Sequence, residues 1–353
     1  MNKIFSSPLH VCWDATYRCN LKCLHCCFGD RNNSESIDKE LTTLDAKMLF
    51  DELADLKVIS FQFAGGEPMI RNDFFELAEY ICRKNIVTTV ATNGLYIDEY
   101  AARKMKKIGI RGVQISIDGV SKEQHEFIRG KDTFSRTLEA IYHLKNANVP
   151  VLIATLVHKK NVDDLYALID FLNSVGVSNM RLQFLLPQGN AINNLDKLFV
   201  DLDNIKRIIY KLYEHPLIKQ KKFDLVLPCF IPTIIGQKNF NIGRGSFLIN
   251  SCGAGTYSVN INPFGDVTAC GVLTDEKWVC GNIRNDSLKN IWNKSEGFSI
   301  WRQVPQLKGK CNSCDIFNEC RGGCRASAYL ITGDINASDP LCWRGEKVNE
   351  ETC

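Results

Sequence analysis

The stretch VISFQFAGGEPMIRNDFFELAEYICRK, residues 58–84, sets the fold. An apolar run rich in β-branched and aromatic residues (58–64) reads as a strand. It is followed by the turn GGEP (65–68) and by DFFELAEYICRK (73–84), whose apolar residues recur at helical spacing. The same unit repeats on both sides. Further strands are predicted at 9–16 (LHVCWDAT), 86–92, 112–118, 149–157 and 180–186, and helices at 44–56, 96–108, 134–147, 162–175 and 202–214. Nearly continuous apolar strands alternating with amphipathic helices predict an α/β fold whose parallel sheet is covered on both faces. Six such units without a seventh or eighth predict a partial (β/α)6 TIM-like barrel over residues 1–215. Its catalytic face is expected at the strand-to-helix loops, where GGEP (65–68), NG (93–94) and DG (118–119) cluster.

Beyond residue 215 the texture changes. A Pro- and Gly-punctuated stretch (216–250) bridges to a Cys-dense tail, 251–353, predicted to be a small separate domain. The tail holds a hairpin-like segment, TYSVNINPFGDVTACGV, one helical piece, LKNIWNKSEGFSIW, and little other regular structure. Segments so poor in periodicity need metal or disulfide staples.

The 353 residues carry a formal net charge of only +3, which points to neither nucleic acid nor an anionic membrane as partner. No apolar run approaches the roughly 20 residues that span a bilayer, and the N-terminus lacks the pattern of an export signal. A cytoplasmic location is expected, where the 16 cysteines serve as metal ligands rather than disulfides.

Cys19-Asn-Leu-Lys-Cys23-Leu-His-Cys26 places three thiols in the loop after the first strand, close enough to wrap one small object. Structural zinc and electron-transfer clusters normally take four protein ligands. Three thiolates on a four-iron cluster leave one iron open to a small molecule.

This CxxxCxxC spacing resembles the signature of the radical S-adenosylmethionine superfamily. The resemblance implies an open-site [4Fe-4S] cluster on Cys19, Cys23 and Cys26 that binds S-adenosylmethionine and cleaves it to a 5′-deoxyadenosyl radical. It also implies contacts to that cofactor: His25 near the adenine, Gly65, Gly66 and Glu67 at the methionine amino group, and Asn93, Ser116 and Asp118 at the ribose and methionine. Arg129 would take the methionine carboxylate, although a solvated arginine at a helix start also fits it. Asn161 reads as a helix N-cap.

The tail cysteines are similar to the SPASM extension. Cys252, Gly265-x4-Cys270, Cys311-x2-Cys314-x5-Cys320-x3-Cys324 and Cys342 follow its order and spacing. The resemblance implies two auxiliary iron–sulfur clusters of the four-iron type: Cys311, Cys314, Cys320 and Cys342 on the distal one, and Cys252, Cys270 and Cys324 on the nearer one. CxxC pairs alone would also suit zinc. Either Cys280 or Cys229 closes the nearer site, or its fourth iron is open to substrate. Cys12, Cys27, Cys82 and Cys353 are left as core thiols or bystanders.

Enzymes of this architecture imply a net oxidation or cross-link of a ribosomally made peptide. Porphyrin or other redox-cofactor tailoring is the alternative, and a non-catalytic electron carrier a third. The expected partners are the substrate, a reductant such as flavodoxin or ferredoxin, and a separate leader-binding protein, since strand one begins almost at the N-terminus. No general acid or base can be named from the sequence.

Overall fold

The structure, a computed structural model, describes residues 5–29, 38–228, 231–235, 252–303 and 306–344. One ten-stranded sheet runs through them. In chain order its strands are β1 (His10–Thr16), β2 (Ser60–Gly65), β3 (Val87–Thr92), β4 (Gly112–Ser116), β5 (Val151–Leu156), β6 (Asn179–Gln183), β7 (Asp224–Val226), β8 (Ser258–Ile261), β9 (Asp266–Thr268) and β10 (Val279–Asn282). Their spatial order is β10-β9-β8-β1-β2-β3-β4-β5-β6-β7, with β1 to β7 parallel and no pairing between the outer strands. The barrel is therefore open. The six expected strands are present, and the three-residue β7 was too short to show a periodicity.

The helices are α1 (Thr43–Asp55), α2 (Phe74–Cys82), α3 (Glu99–Ile108), α4 (Lys122–Arg129), α5 (Phe134–Asn146) and α6 (Leu165–Ser174), followed by a helix at Leu202–Tyr213. Helix α1 starts on a capping box in which Thr42 Oγ1 accepts from Asp45 N and Asp45 accepts from Thr42 N. It buries Ala46, Leu49, Phe50 and Leu53, which helical spacing places on one face. Helix α4 escapes a periodicity search because only its His125, Ile128 and Arg129 are buried.

Strand alternation divides the sheet's two faces. Val11, Trp13, Phe61 and Phe63 pack outward against the helices, with Trp13 and Phe50 edge-to-face at 5.9 Å and Phe61 and Phe63 at 4.9 Å. The opposite, lumen-facing positions are His10, Cys12 and Asp14 on β1, Gln62 on β2, Gln114 and Ser116 on β4, and Asn179, Arg181 and Gln183 on β6. A closed barrel fills its interior with branched apolar side chains; this one sets these polar groups beside Ala91, Leu152 and Ala154.

The C-terminal segment continues the sheet. β8 pairs in parallel with β1 in the register His10↔Ser258 to Trp13↔Ile261, and Asn260 Nδ2 donates to Asp14 Oδ2 at 2.9 Å. β8 and β9 form the expected hairpin. The expected helical piece splits into Leu288–Lys294 and Ser299–Arg302, and a further helix occupies Arg325–Thr332. Trp292 Nε1 donates to Phe5 O, and Arg284 donates to Lys39 O and Glu40 O, so the tail is anchored to the barrel's first loops.

Candidate functional site

The loop after β1 carries Cys19, Cys23 and Cys26, and the glycines of GGEP let β2 close over it. A Cβ on Gly66 would lie 2.3 Å from Arg18 O, and one on Gly65, at φ +116°, 2.4 Å from Thr16 O. Without those Cβ atoms, Gly66 N donates to Thr16 O and Glu67 N to Arg18 O, both at 2.8 Å. The loop is gripped from its other side by the segment after β6. Asn190 N donates to Cys26 O (2.9 Å), Asn190 Nδ2 to Cys23 O (3.0 Å) and Asn194 Nδ2 to Leu24 O. Gly189, at φ +56°, makes this approach possible, since its Cβ would meet Cys26 O at 2.4 Å.

Glu67 is fully buried and turned toward β3. Its carboxylate accepts from Thr92 Oγ1 (2.8 Å), Asn93 N (2.8 Å) and Met69 N (3.1 Å). Burial raises its pKa to about 7 despite those three donors. Asn93, fixed by Glu67, donates from Nδ2 to Asn20 Oδ1 at 2.8 Å, next to Cys19. Burial pushes the Cys19 thiol up to about 11, while the Leu21 N–H pulls the other way and Glu67, Cys23 and Cys26 push it further up. The three thiols thus lie within one another's field.

Asp118 is the hub of the next loops. Its Oδ2 accepts from Arg129 Nε and its Oδ1 from Leu156 N at 2.8 Å. Its backbone N donates to His125 Nδ1 (3.3 Å), and its carbonyl accepts from Asn161 Nδ2 (2.9 Å) and His158 Nε2 (3.4 Å). Burial alone would raise the Asp118 carboxyl, but the Arg129 guanidinium, with His25 and His125 nearby, brings it down to about 2. Arg129 closes α4 rather than opening it and is 9% exposed, so it is not a solvated arginine at a helix start. Its charge reaches Cys23 and Cys26, and its two terminal nitrogens make no hydrogen bond with a described residue. Asn161 makes no capping bond; it ties His158 N and Leu156 O to Asp118. His25 lies in the same field, with its Nδ1 buried and unpartnered, and burial lowers its pKa to about 3. Ser116 ends β4 on the lumen side, half-buried. Leu24, Phe127, Ile128, Leu156, Leu185 and Leu198 form an apolar cluster beside the cysteine loop.

In the tail the thiols fall into two neighbourhoods. Cys324 is pushed up by burial and by the charges of Cys270 and Cys252, and Cys270 by burial and Cys252. Cys320 feels Cys342 and Cys311, and Arg344, two residues past Cys342, lies against Cys314. Asp339, fully buried, links the two neighbourhoods by accepting from Cys324 N at 2.6 Å and Leu341 N at 2.9 Å. Cys280 stands apart: its thiol meets Trp278 O, the Ala269 N–H, Ser295 and Arg302, with no cysteine among its partners. Cys229 and Cys353 lie outside the described residues. No disulfide joins two of the fourteen described cysteines. Among the described residues no group of three His, Cys, Asp or Glu converges on a single-ion site.

Sequence reasoning did not find Asn190, Asn194, His125, His158 or Asp339. Each works through side-chain reach across the fold, which no local spacing encodes; only Gly189, a glycine ahead of an Asn-rich turn, offered a signal.

The geometry agrees with comparison to known proteins. The model of the radical SAM superfamily matches residues 13–172, and that of an iron–sulfur cluster-binding domain, SPASM, matches 252–315. The chain is 32% identical to the mycofactocin maturase MftC of Mycolicibacterium smegmatis, over 96% of this chain and 83% of that protein. It is 31% identical to an AdoMet-dependent heme synthase of Methanosarcina barkeri, over 96% of this chain and 97% of that protein. In fold it is similar to Streptococcus suis SuiB bound to S-adenosylmethionine, with a TM-score of 0.77, 19% identity, and coverage of 97% of this chain and 79% of that one. The protein belongs to the radical SAM superfamily and is a radical SAM enzyme with an iron–sulfur cluster-binding SPASM domain.

Proposed function

We propose that this enzyme oxidises or cross-links a peptide substrate by radical chemistry started at the Cys19–Cys26 loop. The observation that carries the reading is the trio of mutually interacting thiols beside Arg129, whose two terminal nitrogens are uncommitted. Cys19, Cys23 and Cys26 would hold a four-iron cluster, and bound there with S-adenosylmethionine it would supply a 5′-deoxyadenosyl radical. Asp118 fixes Arg129 through Nε and leaves its remaining nitrogens to take the methionine carboxylate as a charge-assisted pair. Glu67 acts one step back, holding Asn93 against the loop. The apolar cluster around Ile128 and Leu198 keeps water from the reacting centre. His25, Gly65, Gly66, Ser116 and Asp118 complete the cofactor pocket.

Cys311, Cys314, Cys320 and Cys342 are the proposed ligands of one auxiliary cluster, and Cys252, Cys270 and Cys324 those of the other. With Cys280 turned away, the second set has three described thiols, and substrate is the proposed fourth ligand. The open side of the sheet favours a peptide, because an extended chain can lie across the gap with one residue in the polar lumen. The near full-length match to a heme synthase supports a porphyrin as the second reading. A flavodoxin or ferredoxin as reductant, a separate leader-binding protein and a cytoplasmic location belong to the proposal.

The test is anaerobic reconstitution, iron and sulfide quantification, and a dithionite assay for 5′-deoxyadenosine in wild type and Cys23→Ala. About twelve irons and nucleoside formation lost in the variant are expected. Zinc in place of iron, with no cleavage in wild type, would overturn the assignment.

A further inference from the structure

Arg181 lies near the middle of β6, pairing with Ala154 of β5 and Val226 of β7. It sits two residues before the strand's end, about 7 Å deeper in the barrel than the loops that carry the radical site. Its strand neighbours Met180 and Leu182 are packed in the helix-facing core, so Arg181 takes the lumen side. Its guanidinium makes no hydrogen bond or ion pair with any described residue. The groups within its field are His10 and Cys12 of β1. Burial and then the charge of Arg181 lower His10 to about 4, and burial holds the Cys12 thiol protonated, so neither supplies an opposite charge. The carboxylate of Asp14, also on this face, is engaged by Asn260 and does not pair with Arg181. Two further amide oxygens on the same face, Gln114 Oε1 and Asn179 Oδ1, are buried without a partner.

Arg181 is half-buried and its guanidinium is without a partner, so an unpaired cation stands at the wall of the lumen, where its desolvation is offset only if an anion joins it. An apolar side chain at Arg181 would pack this interior without penalty. A planar donor fork in a chamber of this kind matches a carboxylate. We infer that Arg181 is a substrate-anchoring residue, which binds a carboxylate of the substrate in the barrel lumen and thereby sets which part of it faces the radical site. The inference rests on the lumen being the substrate chamber. The carboxylate can belong to a peptide, as its C-terminus or an acidic side chain, or to a porphyrin propionate.

The test uses cluster-loaded wild type, Arg181→Gln and Arg181→Lys under anaerobic conditions. S-adenosylmethionine is present throughout, so that Arg129 is already occupied. Binding of 4-fluorobenzoate, with neutral 4-fluorobenzamide as control, is followed by fluorine NMR. Wild type should bind the benzoate at least about tenfold more tightly than Arg181→Gln, the loss expected when a charged hydrogen-bond partner is removed. Arg181→Lys should retain part of the affinity, and the benzamide should not distinguish the proteins. Equal benzoate affinity in wild type and Arg181→Gln, with both variants folded by circular dichroism, overturns the inference. Displacement of bound benzoate by coproporphyrin III but not by its tetramethyl ester assigns the anchor to a porphyrin. Displacement by a short peptide but not by its C-terminal amide assigns it to a peptide. Because the readout is anion affinity, it stands apart from the nucleoside assay, and either result can fail without the other.

Discussion

The two cysteine-bearing regions of this enzyme are held in place by different forces. Around Cys19–Cys26, six parallel strands deliver their loops to one face, and side chains bind those loops to each other: Glu67 to β3, Asn190 to the cysteine loop, and Asp118 to α4, β5, Asn161 and His158. Past residue 303 there is no sheet among the described residues. One eight-residue helix, single turns at Gly309–Cys311 and Phe317–Cys320, and the contacts of Asp339 and Arg325 carry the chain past five cysteines. Mean packing cannot substitute for regular structure in so short a segment, so the tail's order has to come from whatever its thiols bind. On the proposed ligand sets, the barrel loop would be a preformed receptor for its cluster, whereas the tail would be built around its own.

That contrast is open to direct attack. Chelating iron from the anaerobic holoenzyme should produce the largest effect. Amide hydrogen exchange in residues 306–344 should accelerate by at least about a hundredfold, while β2 to β5 stay protected. Uniform loss across both regions would show that the barrel also depends on iron.

Next in size is Asp118→Asn. It leaves Arg129 buried beside an uncharged amide and should destabilise the barrel by about 3–5 kcal/mol in chemical denaturation. Combining it with Arg129→Met should recover most of that loss, because replacing both partners removes the stranded charge. The iron content of the tail should not change in either variant.

Glu67 gives a pH signature. Its carboxyl titrates near 7 in the fold against about 4.5 when unfolded. Its contribution is therefore fully present below about 4.5 and is lost as pH rises toward 7, by up to about 3 kcal/mol. Wild type should lose stability relative to Glu67→Gln between pH 4.5 and 7.5, with no further change above. A difference that is flat across that range would mean the carboxylate is ionised throughout.

The smallest effect is expected from Asn190→Ala, which deletes the hydrogen bond to Cys23 O. It should cost about 1 kcal/mol of stability and slow S-adenosylmethionine cleavage, leaving the iron count unchanged.

The barrel was legible because a strand covered on both faces and an amphipathic helix each leave a period in the sequence, and all six expected βα units fall within a few residues of their predicted bounds. β7 spans three residues and α4 buries three, so neither leaves a period to read. Cysteine spacing is local and survives in sequence, which is why three groups of thiols can be proposed from it. The direction of a side chain is not local. GGEP announces a turn, but nothing in it says that Glu67 points into the sheet. Asn161 looks like a helix cap until its amide is seen to reach Asp118. The emptiness around Arg181 emerges only when β1 and β6 face each other across the lumen.

The pairing of β1 with β8 has a temporal consequence. His10 finds its partner Ser258 only after some 248 further residues have been made, which at 5–20 residues per second is about 12–50 s of synthesis. Until then one edge of the nascent sheet is raw, and the loop bearing Cys19 hangs from that edge strand. A product truncated before β8 would leave the ribosome with that strand edge unpaired and open to chaperones.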